Sequence, residues 1–230
     1  MRKKLVVLTG AGISAESGLK TFRDSDGLWE NYPVEDVASI EGWYRNPDLM
    51  LDFYNQRRRQ LEKAEPNGSH LGLAKLESVF EVQILTQNVD NLHERAGSSE
   101  VLHLHGELTK ACSSRDKSNV VNIGYRDILI GDKAADGSQL RPFIVWFGEA
   151  VPEMDKAIDL TSSADIFVII GTSLNVYPAA GLVDFVPSGV PIYIIDPNQV
   201  GRTIRKDCTV IKEQAVKGVE ILIELLVSPF

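Results

Sequence analysis

The sequence predicts an α/β protein: a doubly wound parallel sheet carrying a smaller inserted domain. Three observations predict it. Short apolar runs occur at residues 5–8, 82–85, 166–170 and 192–195, and each stops at Thr, Gly or Asp, as buried parallel strands do at their carboxyl ends. Stretches with helical spacing, at 69–80 and 216–226, lie between and after them, and strand alternating with helix is the signature of a parallel sheet. Two segments carry no such run: 21–66, helical and aromatic, and 112–141, polar and rich in Asp, Ser, Asn and Gly. These read as a helical module and a loop-rich insertion.

The first run, LVVL at 5–8, enters GAGISA at 10–15, which fits G-x-G-x-x-G/A with Ala15 in the third place. Gly10 suits a tight turn, Gly12 lets backbone approach a pyrophosphate, and a helix N-terminus behind them would face the anion. The same letters also describe a strand-to-helix turn with no ligand. The next segment, SGLKTFRD at 17–24, is not the second strand and ribose-binding acid of an ordinary dehydrogenase. In the helical stretch 69–80, Leu71, Leu73, Leu76, Val79 and Phe80 supply the apolar positions. The run at 82–85 ends in TQNVDNLH, residues 86–93, which crowds four amide or acid side chains where α/β sheets bind ligands. Helix capping by Asn88 or Asp90 is the competing reading. In LHLHGE, 102–107, alternation predicts that His103 and His105 share one face of a short strand, with an imidazole exposed for proton transfer near neutral pH. No Cys or carboxylate set accompanies the two histidines, so a metal pair is disfavoured.

Of 230 residues, 43% are hydrophobic and 24% charged, enough for a core and too polar for a membrane protein. The formal charge of −8 disfavours nucleic acid or an anionic membrane as partner. Two cysteines, Cys112 and Cys208, exclude a disulfide framework and a four-cysteine zinc site, and point to a reduced compartment. The apolar run behind the basic start is too short for a signal peptide, and no segment reaches the ~18 apolar residues of a membrane span. The chain reads as intact, unexported and cytoplasmic.

Five motifs together resemble the sirtuins, NAD-dependent protein-lysine deacylases: GAGISAESGLKTFR at 10–23, TQNVD at 86–90, HLHGE at 103–107, VWFGE at 145–149 and GTS at 171–173. The match runs from residue 5 to about 226. The resemblance implies a single catalytic unit over 1–230. Its large Rossmann-like domain would take in approximately 1–20, 67–106 and 142–230, and its small domain 21–66 and 107–141. It implies NAD and an acyl-lysine peptide meeting between the two, with free lysine, nicotinamide and O-acyl-ADP-ribose as products.

Carried onto this sequence, the resemblance makes His105 the base and assigns Gln87 and Asn88 to the nicotinamide ribose and Asp90 to the carboxamide. Gly10, Ala11, Gly12, Glu16, Thr21, Phe22, Arg23 and Trp29 belong to the cofactor loop, Phe22 shielding the reacting ribose. Gly171, Thr172 and Ser173 make a second phosphate and ribose contact, and Asn198 and Ala215 lie on the adenosine side. Val145, Phe147, Gly148 and Val176 come from two segments, VWFGE and LNVYP at 174–178, that resemble those clamping a protein substrate as an extended strand. Such clamping is nearly blind to sequence.

Tyr54 and Arg57 stand at i and i+3 in LDFYNQRRR, 51–59, on one helix face. Taken alone they read as Tyr on the core edge and Arg in water. Sirtuins with Tyr-x-x-Arg here prefer succinyl-, malonyl- or glutaryl-lysine, because a guanidinium offers a carboxylate two parallel charge-assisted bonds. The departure is metal: most sirtuins hold a structural zinc with two Cys-x-x-Cys pairs, and between residues 107 and 141 only Cys112 is present. No zinc is expected. Two other readings compete, a mono-ADP-ribosyltransferase and a non-catalytic NAD or ADP-ribose sensor.

Overall fold

The computed structural model describes residues 2–19, 32–198, 204 and 208–227. Among them the strands are β1 (Lys4–Thr9), β2 (Glu81–Thr86), β3 (Val101–His103), β4 (Gly106–Ser113), β5 (Val120–Asn122), β6 (Leu140–Ile144), β7 (Ile166–Ile170), β8 (Ile192–Ile195) and β9 (Thr209–Ile211). The helices are α1 (Gly12–Ala15), α2 (Val34–Val37), α3 (Ile40–Arg45), α4 (Pro47–Lys63), α5 (Gly68–Leu76), α6 (Leu92–Arg95), α7 (Met154–Ser162) and α8 (Ala215–Val227), with a 3₁₀ helix at Ala179–Phe185.

Six strands form a parallel sheet in the order β3-β2-β1-β7-β8-β9. All four predicted apolar runs lie in it. β7 is buried along its whole length, because helices cover both faces of the sheet. Alternate residues divide between those faces. Leu5, Val7, Ile84, Val168 and Ile170 pack against Leu73 and Leu76 of α5 and Val219 and Leu222 of α8. Val6, Leu8, Leu85, Phe167 and Ile169 pack against Ala157 of α7 and Leu182 and Val183 of the 3₁₀ helix. The chain order reverses between β1 and β7, so their carboxyl ends open a crevice.

The helix predicted over 69–80 is shorter. Asn67 caps α5, accepting from Ser69 N at 2.9 Å while its own N–H donates to His70 Nδ1 at 3.3 Å. The helix stops at Leu76, and a tightened turn carries Phe80 under the sheet while Val79 faces solvent. His103 and His105 do not share a strand: β3 ends at His103, and His105 lies in the turn after it. The pairing of β3 with β2 runs out at Thr86↔His103, so the alternation read at 102–107 spans a strand end and a turn.

A second core belongs to the smaller lobe. α4 begins with Pro47 behind an Asn46 cap and buries Met50, Leu51, Phe53, Tyr54 and Leu61 against Leu108, Ala111, Leu140, Ile144 and Trp146. The insertion expected to be loop-rich holds a three-stranded antiparallel sheet, β5-β4-β6. Its strands are short and its connections polar, which is why composition reads as loop. Arg58, fully buried, ties α4 to this sheet by donating to the carbonyls of Arg126 (3.1 Å) and Leu108 (3.5 Å) and to Asn55 Oδ1. Among the described residues no helix is long and apolar enough to cross a membrane.

Candidate active site

At the crevice two glycine turns press together. Gly10 N donates to Ile170 O at 3.0 Å and Gly12 N to Gly171 O at 2.9 Å. A Cβ on Gly12 would lie 2.6 Å from Gly171 Cα, and Gly171 has φ +62°, so neither position has room for a side chain. The helix expected behind the turn is a single turn, α1. A cavity of about 810 Å³ opens here, between the sheet and the smaller lobe.

The cavity gathers residues from distant parts of the chain. On the glycine side it is lined by Gly10, Ala11, Gly12, Glu16, Gly171, Thr172 and Ser173, with Asn198 and Ala215 beyond them. Gln87, Asn88, Asp90 and His105 line its middle, Tyr54, Arg57, Val145, Phe147 and Gly148 line the side toward the smaller lobe, and Val176 lines it from the segment after β7. Thr21, Phe22, Arg23 and Trp29 lie outside the described residues.

Ser14 organises the middle. Its hydroxyl donates to Asp90 Oδ2 at 3.0 Å and accepts from Asn88 Nδ2 at 3.1 Å. Asn88 N donates to Thr86 Oγ1 (3.0 Å), and Gln87 Nε2 reaches across to Thr172 Oγ1 (3.1 Å). Asp90 Oδ1 accepts from Leu92 N at 3.2 Å just ahead of α6, whose N-cap is Asn91, and the residue also lines the cavity. Burial raises the Asp90 carboxyl above its ordinary value against the pull of these bonds. Beneath lie His70 and His93, with ring centres 4.9 Å apart. Both are fully buried, and burial lowers their pKa values, His70 to about 4. The sequence motifs assign no role to Ser14, His70 or His93; the Asn67-x-x-His70 capping spacing is the signal that could have singled out His70.

The two histidines of HLHGE differ. His105 Nδ1 donates to the Gln87 carbonyl at 3.0 Å, and the side chain lines the cavity. His103 donates through Nδ1 to Asn88 O (3.1 Å), and its Nε2 is 2.7 Å from Glu94 Oε1. Burial lowers the His105 pKa. Burial also opposes charge on His103, but the hydrogen bond and charge of Glu94 outweigh it and raise that pKa.

At the far end Tyr54 is buried, and its Oη accepts from Trp146 Nε1 at 2.9 Å. Arg57 is half-buried, its guanidinium carbon 5.9 Å from the centres of both the Phe53 and Tyr54 rings. Burial lowers its pKa, opposed by Tyr54 and Asp90, and a guanidinium stays charged at neutral pH.

Comparison with known proteins settles the family: residues 10–178 match the Sir2 family. The chain belongs to the Sir2 family. It is 58% identical over 230 residues to an NAD-dependent protein deacylase of Bacteroides thetaiotaomicron, covering 98% of each chain. It is 53% identical over 226 residues to one of Helicobacter pylori, again covering 98% of each. A crystal structure of a Sir2 homologue with NAD superposes with a TM-score of 0.88 at 38% identity, covering 97% of this chain and 89% of that one. A Sir2 complex with a deacetylated p53 peptide and 3′-O-acetyl ADP-ribose gives 0.83 at 31%, covering 98% and 94%.

The residues present fit NAD. Three glycines leave backbone bare for a diphosphate, and Gln87, Asn88 and Asp90 set amide and acid groups beside them, where a ribose and a carboxamide need donors and acceptors. They do not fit the structural zinc common among Sir2 proteins. Cys112 is buried as a thiol whose pKa burial raises, with its Sγ 4.0 Å from Pro142 O. Beside it hydroxyls and one carboxylate bind one another: Ser113 Oγ donates to Asp136 Oδ2 (2.5 Å), lies 2.7 Å from Ser138 Oγ, and accepts from the N–H groups of Arg115 and Asp116 (3.0 Å each). A chelator is therefore expected to leave the thermal midpoint unchanged, whereas Ser113→Ala is expected to cost about 1–3 kcal/mol. Differential scanning fluorimetry with and without EDTA checks both.

Proposed function

We propose that this chain is an NAD-dependent protein-lysine deacylase preferring succinyl- and malonyl-lysine over acetyl-lysine, and releasing nicotinamide and O-acyl-ADP-ribose. The observation that carries the acyl preference is Arg57 beside Tyr54 at one end of the cavity whose middle holds Asn88, Asp90 and His105. A carboxylate at the tip of an acyl chain meets a guanidinium there, and removing both from water makes the pairing selective.

NAD, when bound, supplies an electrophilic ribose carbon. The chain's own residues do the rest. Asn88 and Asp90, braced through Ser14, hold the nicotinamide ribose and carboxamide by hydrogen bonds. His105 has its Nδ1 proton engaged by Gln87 O, so its Nε2 is the atom that takes a proton from a ribose hydroxyl.

The acyl-lysine protein is taken as an extended strand between 145–149 and 174–178. In support, one edge of the first segment is already paired: Phe147 N donates to Ala38 O (2.8 Å) and Ile40 N to Phe147 O (3.0 Å). Phe147 and Tyr177 are exposed beside the cavity and suit contact with a peptide. Two free cysteines are in keeping with a cytoplasmic enzyme.

The test is nicotinamide release from one peptide carrying acetyl-, succinyl- or malonyl-lysine, with Arg57→Met beside wild type. Wild type is expected to prefer the acidic groups, and Arg57→Met to lose about 100-fold in kcat/KM on them while acetyl turnover changes little. Acetyl preference in wild type, untouched by Arg57→Met, would overturn the acyl reading. Nicotinamide release with no deacylation of any peptide would overturn the deacylase.

A further inference from the structure

We propose that Trp146 is a positioning residue for acyl selectivity: its indole N–H, donated to Tyr54 Oη, turns the Tyr54 hydroxyl proton toward the acyl end of the cavity, to meet a ligand carboxylate beside Arg57. The proposal rests on the acidic-acyl reading above and adds a residue to it.

An indole N–H only donates, so in the 2.9 Å bond Tyr54 Oη is the acceptor. A phenol has one proton, held near the ring plane, and the side occupied by Trp146 is closed to it. Among the described residues Tyr54 Oη makes this one hydrogen bond, and Tyr54, 1% exposed, is one of the residues around the cavity, as Arg57 is. The proton therefore points away from Trp146 and waits for an acceptor. Burial raises the phenol's pKa, so Oη keeps that proton at neutral pH. A ligand carboxylate is such an acceptor; an acetyl methyl is not.

Trp146 is itself held fast. It is 2% exposed, and the Arg141 guanidinium carbon lies 3.5 Å from its ring centre. Arg141 makes a bidentate pair with Glu149, at 2.8 and 3.1 Å, and Glu149 Oε2 also accepts from Trp146 N at 2.9 Å. The indole direction is thus fixed before any acyl group arrives, and ordering the donor costs the ligand little.

Trp146→Phe keeps a ring over Arg141 and removes the N–H. The readout is the succinyl-to-acetyl ratio of kcat/KM on one peptide, measured for wild type, Trp146→Phe, Tyr54→Phe and the double variant. The ratio is expected to fall about tenfold in Trp146→Phe, mainly through the KM for succinyl-lysine, and no further in the double variant than in Tyr54→Phe. An unchanged ratio in Trp146→Phe, while Arg57→Met abolishes the preference, would sink the role of Trp146 and spare the acidic-acyl reading. Independent, multiplying losses in the double variant would also overturn it. Absence of any succinyl preference in wild type removes both. Should Trp146→Phe fail to fold, the indole N–H resonance of the wild-type enzyme carries the test. It is expected to shift with a succinyl-lysine peptide and not with an acetyl-lysine one; equal shifts overturn the proposal.

Discussion

His105→Ala is expected to reduce deacylation by about 10²- to 10⁴-fold while leaving NAD affinity within a few-fold of wild type. A carbonyl oxygen only accepts, so the contact with Gln87 O fixes the proton on Nδ1 and leaves the Nε2 lone pair as the base. Burial keeps that imidazole neutral, and so competent as a base, to more acid pH than the usual value of ~6.5. The acid limb of kcat/KM against pH should therefore lie below ~6.5 and disappear in His105→Ala. His103 is the control. Both its nitrogens are occupied and Glu94 favours its charged form, so His103→Ala should not remove that limb. Single-turnover kinetics with calorimetric NAD titration checks this. Loss of NAD binding in His105→Ala, or an acid limb above ~6.5, would show the base to be elsewhere.

Arg141→Met is expected to cost about 3 kcal/mol of stability at neutral pH, the low end for breaking a buried ion pair, because it leaves the Glu149 carboxylate with Lys117 as its remaining cation. Arg141 is 2% exposed and joins β6 to the 145–149 segment through Glu149 and Ile144 O (2.8 Å). Without it Glu149 keeps Lys117, at 2.5 Å and half in solvent, as its cation. Burial raises the Glu149 carboxyl, but Arg141 outweighs burial and holds its folded pKa below the ordinary 4.5. A depressed carboxylate contributes stability above that ordinary value and loses it as pH falls through the folded pKa. The gap between wild type and Arg141→Met should therefore be full at pH 7 and narrow below pH ~4.5. At neutral pH it should lower the thermal midpoint by roughly 10 °C for a chain of this size. Denaturant titrations at several pH values measure it. A constant gap would mean that packing of the Arg141 stem, rather than the lost pairing with the carboxylate, sets the cost.

Much of the fold is legible in local letters. LVVL and IFVII are strands because nothing in them faces water, and Gly10 and Gly171 close them because only glycine leaves backbone bare at a sheet end. The small antiparallel sheet is illegible for the opposite reason: its strands are short, and Ser113, Asp136 and Ser138 look like loop until they are seen bonding one another across 25 residues. Asp90 shows how one letter serves two surroundings, since one oxygen accepts from Leu92 N ahead of α6, whose N-cap is Asn91, while the residue lines the cavity. The spacing of Tyr54 and Arg57 is visible in the sequence as one helix face. Their environment is not: Tyr54 is in the core, and Arg57 lines the cavity rather than standing in water.

The four apolar strands, the glycine turns, the polar motifs around the cavity and the Tyr54/Arg57 pair on α4 are all carried by the letters alone, because each is written in neighbours a few positions apart. Three features wait for the folded chain: which nitrogen of His105 is left open, which way the Tyr54 hydroxyl is turned, and what stands where a zinc site would be. Those depend on partners 18, 92 and 23 residues away, and on burial that gives a hydrogen bond or a charge its strength.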